Sequence, residues 1–224
     1  MEEFDNLVNI LSSSRFKSTG TDTWSWNWDN KGSFSVSKIS KLVHQKIFLA
    51  SSTVVIKPFW SNLVPKKVNI FYWRLVNNVI PVKSILLSRG VPLTSSTCVF
   101  CDIQEETSDH CFFKCHVVEQ VWRKIWAWWG IDSPRPISVD SLNNLVHDAT
   151  KKSFLNRVFN SVCGVTSWAI WRWRNDIAHA EIEERVKLKN MDIFPGIQRI
   201  TALWFDSRYP TCNVNLDSWC IRPT

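Results

Sequence analysis

Between Asn30 and Cys101 the chain contains no aspartate or glutamate. Ten of its 27 lysines and arginines fall in that stretch: Lys31, Lys38, Lys41, Lys46, Lys57, Lys66, Lys67, Arg74, Lys83 and Arg89. Elsewhere the 20 acidic residues outnumber the basic ones, so the excess behind the net charge of +7 lies entirely in this segment. A block of one sign makes a local field that attracts polyanions, of which nucleic acid is the commonest inside cells. A merely solubilising surface is the plainer reading of the same charges.

Other absences exclude whole classes of protein. The opening "MEEFDNLVNILSSSRF" places Glu2, Glu3 and Asp5 where an export signal would be positive, and it has no uninterrupted apolar core. No stretch approaches the ~20 apolar residues of a membrane-spanning helix. The expected location is therefore intracellular, nuclear or cytoplasmic, with no membrane partner. Seven cysteines, an odd number, then sit in a reducing compartment where structural disulfides are rare. There is no internal repeat, heptad array or low-complexity tract, and no P-loop, G-x-S-x-G or H-E-x-x-H motif.

What the chain does have is aromatic bulk: 14 tryptophans and 13 phenylalanines in 224 residues, enough to fill a thick core. Trp24, Trp26 and Trp28 alternate at period two, "DNKG" turns, and Phe34 and Val36 resume the alternation, which predicts a β-hairpin. A helix is expected from about Ser37 to Phe48, with Ser35 or Ser37 as its cap. Pro65 opens a second helix whose apolar face is Val68, Phe71, Tyr72, Leu75 and Val76. Lys66, Lys67, Arg74, Asn77 and Asn78 lie opposite, with Ile70 and Trp73 among the basic residues. "VKSILLSR" gives a short helix ended by Gly90, and "VVEQVWRKIWAWWGI" an amphipathic one stopped at Gly130. "DSPRPIS" reads as a linker, followed by helical patterns at about Phe154 to His179 and Ile193 to Arg208. "CNVNLDSWCIRPT" carries no strong pattern. The expected architecture is mainly α with a small N-terminal β-hairpin: a lead-in at 1–21, a helical domain at 22–131 that contains a cysteine-rich stretch, a linker at 132–138 and a C-terminal helical region at 139–224.

"CVFCDIQEETSDHCFFKC", residues 98–115, holds the densest chemistry. Cys98-x2-Cys101 has the spacing at which a tight turn points two thiolates at one ion, and thiolates with imidazole select Zn2+ over Mg2+ or Ca2+. His110 and Cys115 can complete the set. On a continuous helix, however, residues five apart point in widely different directions, so the chain must bend between them or the helix must start after His110. Cys111 and Cys115 share a helical face without a bend and form the alternative pair, with His116 a remoter substitute. Buried thiols without metal are the third reading. A site with four protein ligands is closed to water and substrate, so its ion would be structural. Cys163, Cys212, Cys220, His44, His147 and His179 have no partner at ligand spacing.

Three ordered stretches, "DTWSWNWDNKGSFSVSKISKLV", "FWSNLVPKKVNIFYWRLVNNVIPVKSILLSRGV" and "CVFCDIQEETSDHCFFKCHVVEQVW", resemble the zinc-binding domain near the C-terminus of plant LINE-type, non-LTR retroelement reverse transcriptases. "SWAIWRWRNDIAHA" resembles the W-x-IW-x-x-RN segment often found downstream of it. The resemblance implies a mostly helical zinc module carried behind an RNA-directed DNA polymerase, gripping nucleic acid, with Cys98, Cys101, His110 and Cys115 as ligands. Cys111 occupies a place where that family often has an aliphatic residue. The Y-x-D-D-type motif that holds a polymerase's metal ions is absent, so the chain is expected to be a detached fragment without catalysis of its own. RNA or DNA, bound mainly by backbone contacts from Lys66, Lys67, Arg74, Lys83 and Arg89 with Trp73 as a stacking residue, is the expected partner. A reverse transcriptase polypeptide docked on the tryptophan faces is the other.

Overall fold

The computed structural model describes residues 5, 8, 9, 12, 34–40, 42, 60–131, 138–149, 154–210 and 215–223. The chain divides into two compact units, Met1–Val54 and Val55–Thr224. In the first, residues 36–40 and 42 are helical. The Ser35 carbonyl accepts from the Lys38 and Ile39 amides, which starts that helix where the sequence offers serines as caps.

This start corrects the hairpin expectation. Most of it, including Trp24, Trp26 and Trp28, lies outside the described residues, but Val36, placed on its far arm, is helical. Apolar alternation over Phe34 and Val36 is only two residues deep, and the backbone bonds made at Ser35 override it. No described residue lies in a strand, and the second unit has a single isolated antiparallel bridge, Thr97 with Glu105. Over the described residues the fold is helical without a sheet.

The second unit contains eight described α-helices: α1 (Lys66–Val76), α2 (Lys83–Ser88), α3 (His116–Trp128), α4 (Val139–Ala149), α5 (Phe154–His179), α6 (Ile182–Lys189), α7 (Phe194–Arg208) and α8 (Leu216–Ile221). A π-helical turn, His110–Lys114, precedes α3. Pro65 stands just before α1, where its fixed φ of −59° suits a helix start and its missing N–H costs nothing. The predicted apolar face of α1 is buried throughout, at Val68, Phe71, Tyr72, Leu75 and Val76. Gly90 and Gly130 end α2 and α3 at φ of +77° and +60°, a left-handed geometry that any Cβ would strain.

The long α5 is the axis of this unit, packed by α1, α4, α6 and α7. Its middle, from Val158 to Ser167, is buried on every side. Asn69 of α1 brackets Ser61 by accepting from its amide and donating to its carbonyl, while the Ser61 and Ser161 hydroxyls meet at 2.7 Å, so the polar groups of that contact are satisfied.

Tryptophan does the work expected of it in the core. Trp122 stacks on Phe113 and Trp126, Trp126 and Trp129 both meet Phe159, and Trp219 meets Trp128, Trp129 and Phe205 edge-on. Indole N–H groups find carbonyls: Trp122 donates to Phe112 at 2.7 Å, Trp128 to Trp219 at 2.8 Å and Trp173 to Leu188 at 2.6 Å. These three rings bury wide apolar area without stranding their polar atoms, whereas the buried indole N–H groups of Trp126 and Trp129 have no hydrogen-bond partner among the described residues. No described helix is long and apolar enough to cross a membrane.

Candidate metal centre

Four donors converge on one point between α2 and α3. The Sγ atoms of Cys98, Cys101 and Cys115 and a ring nitrogen of His110 all lie within 4.8 Å of one another. Cys101 Sγ stands 3.4 Å from His110 Nε2, close to the edge of about 3.6 Å that separates sulfur and nitrogen on one tetrahedral zinc. Donor type and spacing therefore fit a zinc ion.

The local backbone explains how these residues meet. After Cys98 the chain reverses: the Cys98 carbonyl accepts from the Asp102 amide at 2.9 Å and its amide donates to Gln104 at 2.7 Å. Asp102 takes φ of +55°, which lets the turn close. On the other side, the Cys115 amide donates to the His110 carbonyl at 3.0 Å, an i to i+5 bond. The π-helical turn is the bend that the five-residue spacing requires, because its wider winding stacks residue 115 near residue 110. Cys115 then adopts extended geometry, φ −66° and ψ 126°, and starts α3.

Backbone dipoles prepare the sulfurs for a cation. Cys98 Sγ accepts from the amides of Phe100 and Cys101, and Cys115 Sγ from those of Val117 and Val118 in the first turn of α3. Amides aimed at sulfur favour thiolate, the form that binds metal. A hydrogen bond between the two thiols, joined by burial, pushes Cys98 far up, and that same bond holds Cys115 below the ordinary thiol range. Burial holds His110 below the usual imidazole value, so its ring favours the neutral, ligating form. Cys111, whose thiol is pushed well up chiefly by complete burial, is not one of the four convergent donors and packs in the core.

Glu106 and Arg174, which the sequence reading passed over, lock this loop to the rest of the unit. Glu106 is fully buried and its carboxylate receives Arg174 Nη2 at 2.6 Å and Nε at 3.2 Å. The same carboxylate accepts the Lys83 amide, and the Glu106 carbonyl accepts that of Ser84, so one residue satisfies the opening of α2. Arg174 lies over Trp171, which in turn stacks on Phe71 and Phe112. The only available signal was the arginine of the downstream "RWRN" segment.

The predicted nucleic-acid residues divide. Lys66, Lys67 and Arg74 are exposed on the solvent side of α1 with Ile70, and Trp73 is half-buried beside them. Arg89 is exposed at the end of α2. Lys83 turns inward instead, its Nζ donating to the Thr97 carbonyl at 2.7 Å.

A helical unit clamped around a closed Cys3His cluster has the form of a structural metal-binding module. Residues 34–122 match the family model described as zinc-binding in reverse transcriptase. That match is to a zinc-binding accessory domain and not to a catalytic one. No curated protein and no solved structure matches the chain.

Proposed function

We propose that this chain is a nucleic-acid-binding module without catalysis of its own, completed by one structural Zn2+ on Cys98, Cys101, His110 and Cys115 and derived from the reverse transcriptase of a plant LINE-type retroelement. The observation that carries the reading is the convergence of four soft donors beside a helix whose solvent face is basic. With four protein ligands the ion has no open position, so its contribution is to fold the loop that carries α2 and α3. Lys66, Lys67, Arg74 and Arg89 supply phosphate contacts, Trp73 a ring edge, and Lys83 acts through the loop it braces. Such binding is steeply salt-dependent and tolerant of sequence.

Titration of labelled RNA and DNA with the zinc-loaded chain across ionic strength tests this. Charge reversal at Lys66, Lys67 and Arg74 is expected to abolish most of the affinity and to flatten the log–log salt dependence by about 2 on single strands and about 3 on duplex DNA if each cation meets one phosphate. Absence of binding at low salt, or reversal without effect, would contradict the proposal. A protein partner such as a reverse transcriptase polypeptide is the second reading. It is favoured by the exposed Ile182 and Val186 of α6, which border a cavity of about 560 Å3 whose lining also includes the charged Lys83, Asp102, Arg185 and Lys189. A salt-insensitive complex with that polypeptide and no affinity for nucleic acid would establish it in place of the first.

A further inference from the structure

Some exposed cations pair with carboxylates: Lys114 with Asp109, Arg123 with Glu119, and Lys124 with Asp192 at 2.6 Å. Two others are held against aromatic rings instead. Trp168 of α5 and Trp204 of α7 pair with ring centroids 5.6 Å apart, and both are half-buried. Lys67 reaches over from α1, its Nζ 5.0 Å from the Trp168 ring and 5.7 Å from that of Trp204. The Arg172 guanidinium sits 5.0 Å from the Trp168 ring. Among the described residues neither Lys67 nor Arg172 has a carboxylate within ion-pair distance.

A ring quadrupole orients a cation without neutralising it. The cluster therefore keeps two positive charges in place beside two indoles that still reach solvent, with Lys66 adjacent in sequence on α1. Fixed charge and flat apolar rings together suit a ligand that is anionic and planar at once. Bases in a duplex are already stacked on each other, whereas unpaired bases can lie on an indole while their phosphates meet the cations.

We propose that Trp168, Trp204, Lys67 and Arg172 seat a single-stranded nucleic acid, extending the basic face of α1 onto helices that lie beyond the matched segment 34–122. This rests on the nucleic-acid reading above and specifies the strand form it takes. Its test compares fluorescein-labelled oligo(U) and oligo(dT) with a duplex of equal length on the full zinc-loaded chain, in the native form and as Trp204→Leu and Arg172→Ala. Each variant is expected to lose about tenfold in single-strand affinity while duplex affinity changes less than twofold. Arg172 is exposed, so its variant carries the test if Trp204→Leu loses its cooperative melt.

Native-like single-strand affinity in Arg172→Ala or in a folded Trp204→Leu would overturn this seat and leave the α1 reading standing, provided charge reversal at Lys66 and Arg74 still weakens binding. Failure of the native chain to bind any nucleic acid would remove both. Polyglutamate competing as well as oligo(U) per charge would also overturn it, since that polyanion has no rings to stack.

Discussion

The loop from Cys98 to Cys115 and the helices α3, α5 and α7 both carry fully or nearly buried side chains, but of different kinds. In the helices, burial is mainly apolar: Trp126 of α3 meets Phe159 of α5, Trp128 of α3 and Phe205 of α7 meet Trp219 of α8, and each ring removes wide surface from water. In the loop, the only regular structure is one bridge and one π-helical turn, and its fully buried groups include three thiols and a carboxylate. Phe100, Phe112 and Phe113 bury apolar area there as well, but a buried carboxylate costs free energy unless a charge meets it, and thiolates gathered at one point repel unless a cation sits among them. The loop therefore adds two electrostatic fasteners to its buried rings, a cation at the four donors and the Glu106–Arg174 pair, whereas the helices depend mainly on shape.

The largest effect should come from removing the cation. Chelation, Cys98→Ser or Cys115→Ser forfeits binding energy on the order of 10 kcal/mol for a structural zinc. Hydrogen exchange read by mass spectrometry is expected to show 96–118 losing protection while the middle of α5 keeps most of its own. Equal loss in both regions would break the distinction. Next comes the ion pair: Arg174→Met leaves the Glu106 carboxylate buried without its partner, at a cost of about 3–5 kcal/mol in chemical denaturation. Glu106→Gln with Arg174→Met should recover part of that cost, and simple additivity of the two would show that the residues do not act as a pair.

On the other side of the comparison, Trp219→Ala should cost about 3–5 kcal/mol by opening a cavity among Trp128, Trp129 and Phe205. Elemental analysis should nevertheless still find one zinc per chain, since the lost contacts do not touch the donors. The smallest expected change is Gly130→Ala, about 1 kcal/mol by thermal melting. A Cβ there meets only Arg222 Nη2 at 3.7 Å, so the cost is the strained φ alone.

Legibility in the sequence follows the same division. Where one helix face is apolar and a proline or glycine marks an end, the pattern predicts the element, as for α1 and α3, while the span Phe154–His179 is legible from its length of apolar pattern alone. α6 has no buried residue and α8 only six residues, so periodicity has nothing to register in either. Asn215, whose side chain accepts from Asp217 and Ser218, was the one cue to α8.

At the candidate site the Cys98-x2-Cys101 spacing was readable, because the turn that joins two thiols is local. The choice between His110 and Cys111 was not readable from helical geometry, since a π-helical turn leaves no mark in side-chain periodicity. Glu106 and Arg174 stand 68 residues apart and meet only after α5 has docked on the loop. The hairpin expectation went wrong at Val36 because two alternating residues weigh less than the helical bonds accepted by the Ser35 carbonyl.

X-ray absorption at the zinc edge on the purified full chain tests the central claim most directly. One ion per chain, with three sulfur neighbours near 2.3 Å and one nitrogen near about 2.0 Å, is the predicted spectrum. Four sulfurs, which would bring Cys111 in for His110, or a folded chain that carries no metal, would contradict it.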